Sequence, residues 1–190
     1  MSRLDLVVGP NGAGKSTFVR FVLASARPGV PFVNADLIAG ERWPEDPEAN
    51  SYEAARIATA VRSKLIAAGE SFIAETVFSH PSKVDLVTEA RAAAFDVHLH
   101  VLMVPAALAV ARVRARVEVG EHDVPQHKIV GRYARLWSNV VAAAPLCRRV
   151  DMWDNSGVGP VQVGTMRDGI WVLGPRWPTW TPPELGALGT

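Results

Sequence analysis

Gly9-Pro10-Asn11-Gly12-Ala13-Gly14-Lys15-Ser16 has the spacing of a phosphate-binding loop, G-x-x-x-x-G-K-[ST]. Each residue type serves that chemistry. Glycines let the backbone wrap closely, so that its N–H groups converge on phosphate oxygens. The helix that opens at the loop adds the positive end of its dipole. The Lys15 ammonium is placed for the β- and γ-phosphates, the Ser16 hydroxyl for Mg²⁺, and Thr17 for the α-phosphate. The competing reading is a glycine-rich turn with no ligand. The full motif, with an apolar strand before it and a helix after it, argues against that. The expected ligand is ATP or GTP with Mg²⁺.

Two further groups of residues can act on an acceptor. Asn34-Ala35-Asp36 closes a second strand, and in open parallel sheets the carboxyl ends of strands face the ligand crevice. A carboxylate there can take or orient a hydroxyl proton. Asp36 can equally cap the helix that begins at Leu37. Glu75-Thr76 closes a third strand in the same way. Glu75 can hold a water on Mg²⁺, grip the substrate, or pair with an arginine.

Arginines form the third group. Arg112 and Arg116 are four apart, and Arg132 and Arg135 three apart, so each pair shares a helix face. Two such helices joined by the turn at 120–125 can fold over a triphosphate, where guanidinium groups neutralise developing charge. A solvated helical face is the competing reading. His122 in the turn reads as structural. His80, His98, His100 and His127 are scattered, which shows no metal cluster, and Trp43, Trp137, Trp153 and Trp171 read as packing residues.

The elements that must position these groups alternate. Leu4 to Val8 reads as a buried strand, 15–26 as a helix, and Pro31 to Ala35 as a short strand. Residues 40–50, with two prolines and four acidic residues, read as a loop. A helix capped by Asn50 or Ser51 carries Ile57, Val61 and Leu65 on one face and stops at Gly69. Ser71 to Thr76 is a third strand, Pro81 to Ala94 a helix and Asp96 to Val104 a fourth strand. Helices at 106–118 and 126–142 follow, then strands at 150–154 and 161–167, with a further one at 170–173. This order predicts an α/β fold of three layers, α/β/α, with a parallel sheet of about five strands and a small helical lid at about 112–135. Residues 1–173 form the expected single domain. The Pro-rich tail 174–190 is expected to be irregular and laid over the surface through Trp177 and Trp180.

The 190 residues carry 20 Lys+Arg against 19 Asp+Glu, a net charge of +1. That balance gives no reason to expect nucleic acid or an anionic membrane as a bulk partner. One cysteine, Cys147, excludes a disulfide framework, and no apolar run reaches membrane-spanning length. The expected location is the cytoplasm.

GPNGAGKST, VNADLIA at 33–39, SFIAETVFSH at 71–80, RVEVGEHDVPQHKIVGRYARLWSN at 116–139 and DNS at 154–156 together resemble the zeta toxin family of P-loop kinases. The resemblance covers roughly residues 1–156, and the arginine-rich segment is its most specific part. It implies a fold like that of small nucleoside and shikimate-type kinases. It also implies phosphorylation of a nucleotide sugar, typically UDP-N-acetylglucosamine, and an antitoxin as possible protein partner. By position, Lys15 and Ser16 would serve the nucleotide and Mg²⁺, and Asp36 would be the base. Asn34, Glu75 and Thr76 would bind the acceptor, and Arg116 with Arg132 or Arg135 would contact the phosphates. The family turn Gly-Gly-His here reads Gly120-Glu121-His122. Glutamate carries a steric cost wherever φ is positive. A kinase for another small metabolite, or a nucleotide-binding module regulated by a protein partner, are the alternatives.

Overall fold

Among the described residues, seven strands make one sheet. The protein is seen in a computed structural model that describes residues 1–118 and 125–189. Gly120, Glu121 and His122 therefore lie outside the described residues. The elements are β1 (Arg3–Val8), α1 (Lys15–Phe18), α2 (Ala24–Ala26), β2 (Phe32–Val33), α3 (Ala35–Arg42), α4 (Ser51–Ala68) and β3 (Phe72–Thr76). They continue with α5 (Ser82–Ala92), β4 (Asp96–Met103), α6 (Ala106–Glu118), α7 (Gln126–Ala143), β5 (Arg149–Asp154), β6 (Val161–Arg167) and β7 (Ile170–Leu173).

β2, β3, β1, β4 and β5 are all parallel, and this five-stranded part matches the expectation. β6 and β7 extend it as an antiparallel pair beyond β5. Their connection of two residues, Asp168 and Gly169, is too short for a parallel crossover, which needs a dozen residues or more. β2 is shorter than predicted, because Asn34 leaves the strand to cap α3. The helix predicted over 15–26 forms, with a π-helical middle at Val19–Leu23 between α1 and α2.

Strand alternation sorts the core onto two faces. Leu4, Leu6 and Val8 of β1 join Phe72, Val97, Leu99, Val101 and Met152 in the larger cluster, covered by Ala58 and Ile66 of α4, Leu86 of α5 and Trp137 of α7. Val7, Ile73 and Leu102 face the other way, against Phe18, Val19, Leu23 and Ala109. The tail follows the first face. Trp177 and Trp180 pack against that cluster, Leu185 is fully buried, and Trp171 Nε1 donates to Leu188 O at 3.1 Å. Residues 183–188 form a 3₁₀ turn. Cys147 is buried, and burial pushes its thiol up to about 12, so it stays protonated and unreactive.

The second face also carries a polar seam. Asp5 is fully buried in the middle of β1. His100 Nε2 lies 3.1 Å from Asp5 Oδ1, and Arg27 is 3.6 Å from Asp5 Oδ2. Asp151, also buried, accepts from Arg149 Nε, Gln162 Nε2 and Thr165 Oγ1 at 2.7, 2.7 and 2.8 Å. Burial alone would raise the Asp5 pKa, but hydrogen bonds from His100 and Arg3 outweigh it and hold the carboxyl below its ordinary value. The Phe18 ring rests 5.6 Å from the His100 ring, so this seam lies directly under the helix that follows the phosphate loop.

Among the described residues, no helix is long and apolar enough to cross a membrane.

Candidate active site

Residues 9–14 run from the carboxyl end of β1 to the first turn of α1, as the motif requires. Gly12 (φ 75°) and Gly14 (φ 80°) occupy the left-handed region that glycine alone enters readily. Both are also packed tightly. A Cβ on Gly12 would lie 2.6 Å from Ala109 O, and one on Gly14 would lie 2.6 Å from Asn155 Nδ2. Gly14→Ala is therefore expected to cost about 2 kcal/mol of stability through backbone strain. It should also weaken nucleotide binding, because Asn155 must move. A thermal melt and a nucleotide titration check both effects, and an unchanged melt would show that the loop relaxes freely.

Arg112, one of the arginines expected over the phosphates, and Asn155, to which the sequence reading gave no role, brace this loop. Asn155 Nδ2 donates to Ala13 O at 2.7 Å. Arg112 Nη1 donates to Asn155 O at 2.9 Å and reaches Gly12 O at 3.5 Å. The Gly12 and Ala13 carbonyls are thus engaged by side chains, and within the loop the Ala13 N–H donates to Pro10 O at 3.1 Å, which leaves the remaining N–H groups for a ligand. The signal for Asn155 was present, since a polar residue follows β5 on the same rim as the loop. Spacing puts Arg112 with Arg116 on a helix face that can fold over a triphosphate, whereas in the structure its guanidinium donates to carbonyls of Asn155 and the loop.

Lys15 is buried, and its Nζ donates to Pro10 O at 3.0 Å and lies 3.9 Å from Glu75 Oε1. Burial pushes its pKa down, with Arg116 and Arg132 adding to the depression, while Glu75 and Asp36 oppose it. Asp36, Glu75, Arg116 and Arg132 thus all act on one ammonium group, although they come from four separate segments. Arg135 lies elsewhere on α7 and donates through Nε to Ser79 O at 3.3 Å.

Glu75 is the hub of the site. β1 and β3 pair with Val7 opposite Glu75 and Val8 opposite Thr76, so Glu75 points toward the same face as α1. One oxygen, Oε2, accepts from Ser16 Oγ at 2.8 Å and from Asn34 Nδ2 at 2.7 Å. The other amide atom of Asn34, Oδ1, accepts from the backbone N–H of Asp36 at 2.7 Å and of Leu37 at 3.3 Å. Asn34 is therefore the cap of α3, and the Asp36 side chain does not cap. Asp36 sits in the first turn of α3, exposed at the rim. Thr76 Oγ1 accepts from the Phe78 N–H at 3.3 Å.

Residues 4–136 match the family model described as an AAA domain. The chain belongs to this AAA domain family. No curated protein sequence matches the chain. Among solved structures it is similar to the AvrRxo1-ORF1:-ORF2 complex, with 15% identity, a TM-score of 0.71 and coverage of 91% of this chain and 61% of that one. It is also similar to the PezAT chromosomal toxin–antitoxin system of Streptococcus pneumoniae, with 15% identity, a TM-score of 0.61 and coverage of 82% and 68%. A Chloroflexus aurantiacus protein provisionally described as a kinase gives 16% identity, a TM-score of 0.57 and coverage of 70% and 80%. These likenesses establish the fold of this AAA domain, the three-layer α/β/α arrangement of P-loop kinases. The chain spans 61% of the length of the AvrRxo1 structure it matches.

Proposed function

We propose that this AAA domain is a kinase that moves the γ-phosphate of ATP or GTP onto a hydroxyl of a nucleotide sugar such as UDP-N-acetylglucosamine. One observation carries the reading. A phosphate loop with Gly12 and Gly14 in the left-handed conformation opens beside Glu75, whose carboxylate accepts from the Ser16 hydroxyl at 2.8 Å and lies 3.9 Å from the buried Lys15 ammonium.

The donor's phosphates lie along the loop from Gly9 to Thr17, on those of its N–H groups that are free, with Lys15 on the β- and γ-oxygens. Asp36 faces the acceptor from the first turn of α3 and takes its hydroxyl proton. The hydroxyl oxygen then forms the new bond to γ-phosphorus as the bond to the departing diphosphate breaks. Arg116 and Arg132 spread the charge of the transferring group. Asn34 holds Glu75 toward Ser16, and Thr76 closes the acceptor side. Mg²⁺ fits here, because the Ser16 hydroxyl and the Glu75 carboxylate behind it are the hard oxygen donors that it prefers. When bound, Mg²⁺ neutralises phosphate charge. Among the described residues, no group of three His, Cys, Asp or Glu side chains is arranged to hold a metal unaided. Nucleotide oxygens would complete its shell.

A protein partner that restrains the enzyme is part of the proposal. The AvrRxo1 structure is a complex of two components, and PezAT is described as a toxin–antitoxin system. Location in the cytoplasm suits such a kinase.

Incubating the protein with Mg-ATP and UDP-N-acetylglucosamine should add one phosphoryl group to the sugar nucleotide, read by mass. Protein that binds ATP but phosphorylates no sugar nucleotide in a panel would reject the acceptor class. Transfer to a different small metabolite would then define it.

A further inference from the structure

Phe78 is fully buried and has a φ of 64°, two residues beyond Thr76. A left-handed backbone at a bulky residue is unfavourable and persists only where its surroundings over-determine it. Here the contacts are specific. Phe78 N–H donates to Thr76 Oγ1 at 3.3 Å. Asn139 Nδ2 donates to Phe78 O at 2.9 Å. Arg135 Nε donates to Ser79 O at 3.3 Å. The loop that leaves Glu75 and Thr76 is thus held from one side by α7.

Asn139 and Arg135 are four apart on α7, and Arg132 lies three before Arg135, so the three share one flank of the helix. The helix itself is anchored by Tyr133 OH, which donates to Val104 O at 3.0 Å, and by Trp137, which is buried in the core. One rigid element therefore grips the strained loop with two side chains and brings a third into electrostatic reach of Lys15.

We propose that Asn139 is a positioning residue for the hydroxyl-bearing acceptor. Its amide keeps loop 77–80 in the strained form that seats the acceptor against Glu75 and Thr76, in register with Arg132. The inference rests on the kinase reading above and adds to it a residue that touches neither nucleotide nor acceptor. Removing the amide releases the Phe78 carbonyl and with it the strain, and the loop relaxes away from the rim. The phosphate loop, braced separately by Arg112 and Asn155, keeps its shape.

Two variants of the full chain separate this role from packing. Asn139→Ala removes the donor. Asn139→Asp keeps the size but offers only oxygen acceptors to a carbonyl. Hydrogen exchange of residues 77–80 should quicken by about tenfold in both variants, with residues 9–16 unchanged. With UDP-N-acetylglucosamine as probe, the acceptor KM should rise about tenfold in both while the Kd of a non-hydrolysable ATP analogue stays within about twofold. Unchanged exchange at 77–80, or an aspartate variant that behaves as wild type, overturns the inference alone. Faster exchange with an unmoved acceptor KM also overturns it, by reducing Asn139 to a structural role. Wild-type protein that transfers to no sugar nucleotide overturns the parent reading, and the acceptor role of Asn139 with it.

Discussion

Lys15→Ala is expected to weaken ATP binding by roughly 10–100-fold, the loss of charge-assisted hydrogen bonds to phosphate. Transfer should fall further, by about 10³, because the ammonium also meets charge that develops on the γ-phosphate. The structure explains why the effect is large. Lys15 is 8% exposed, and burial depresses its pKa against the opposing pull of Glu75 and Asp36, with Arg116 and Arg132 adding smaller depressions. An ammonium in that position is shielded from bulk water, with the Glu75 carboxylate 3.9 Å away. A polyphosphate brings its own negative charge and hydrogen-bond acceptors to that ammonium. Removing the cation also leaves the Glu75 carboxylate with its bonds from Ser16 and Asn34 but without the charge beside it, so that it repels the ligand. Titration with a fluorescent ATP analogue measures the first effect. An affinity equal to that of wild type would remove the loop as the nucleotide site and end the kinase reading.

Asp36→Asn should separate binding from chemistry. Transfer is expected to drop by about 10²–10⁴, the range for loss of a general base. The Kd for ATP should stay within about twofold, because a single exposed charge near Lys15 contributes little in water. The substitution is clean because Asn34, rather than Asp36, caps α3 through Oδ1. The helix therefore keeps its cap, and the melting temperature should not move. Quantifying phosphorylated product alongside ATP binding tests the prediction. Retained transfer would show that another group takes the proton.

Several parts of this site can be read from the sequence because their chemistry is local. The phosphate loop is carried by eight consecutive residues whose backbone does the binding, so spacing alone identifies it. The five parallel strands follow from apolar runs separated by helical patterns. Asn34 and Asp36 were harder to divide. Two residues of nearly equal capping ability stand two apart, and only the observed bonds at 2.7 and 3.3 Å assign the cap to Asn34. The place of Glu75 depends on the register between β1 and β3, which no local pattern encodes. The brace formed by Arg112 and Asn155 joins residues 43 apart and could not be found from spacing. Asp5 was hidden for a different reason. One carboxylate inside an apolar run looks like an exposed strand position, whereas its partners His100 and Arg27 arrive from elsewhere in the chain.

That carboxylate has a mechanical consequence. Greasy contacts resist separation but yield to sliding, because one hydrocarbon neighbour serves as well as the next. Bonds between Asp5 and His100 are directional and admit few substitutes. With the Phe18 ring seated on His100, the first turns of α1 rest on a keyed surface instead of a smooth one. Rotation or slippage of that helix would swing Lys15 and Ser16 out of line, and the key opposes both movements.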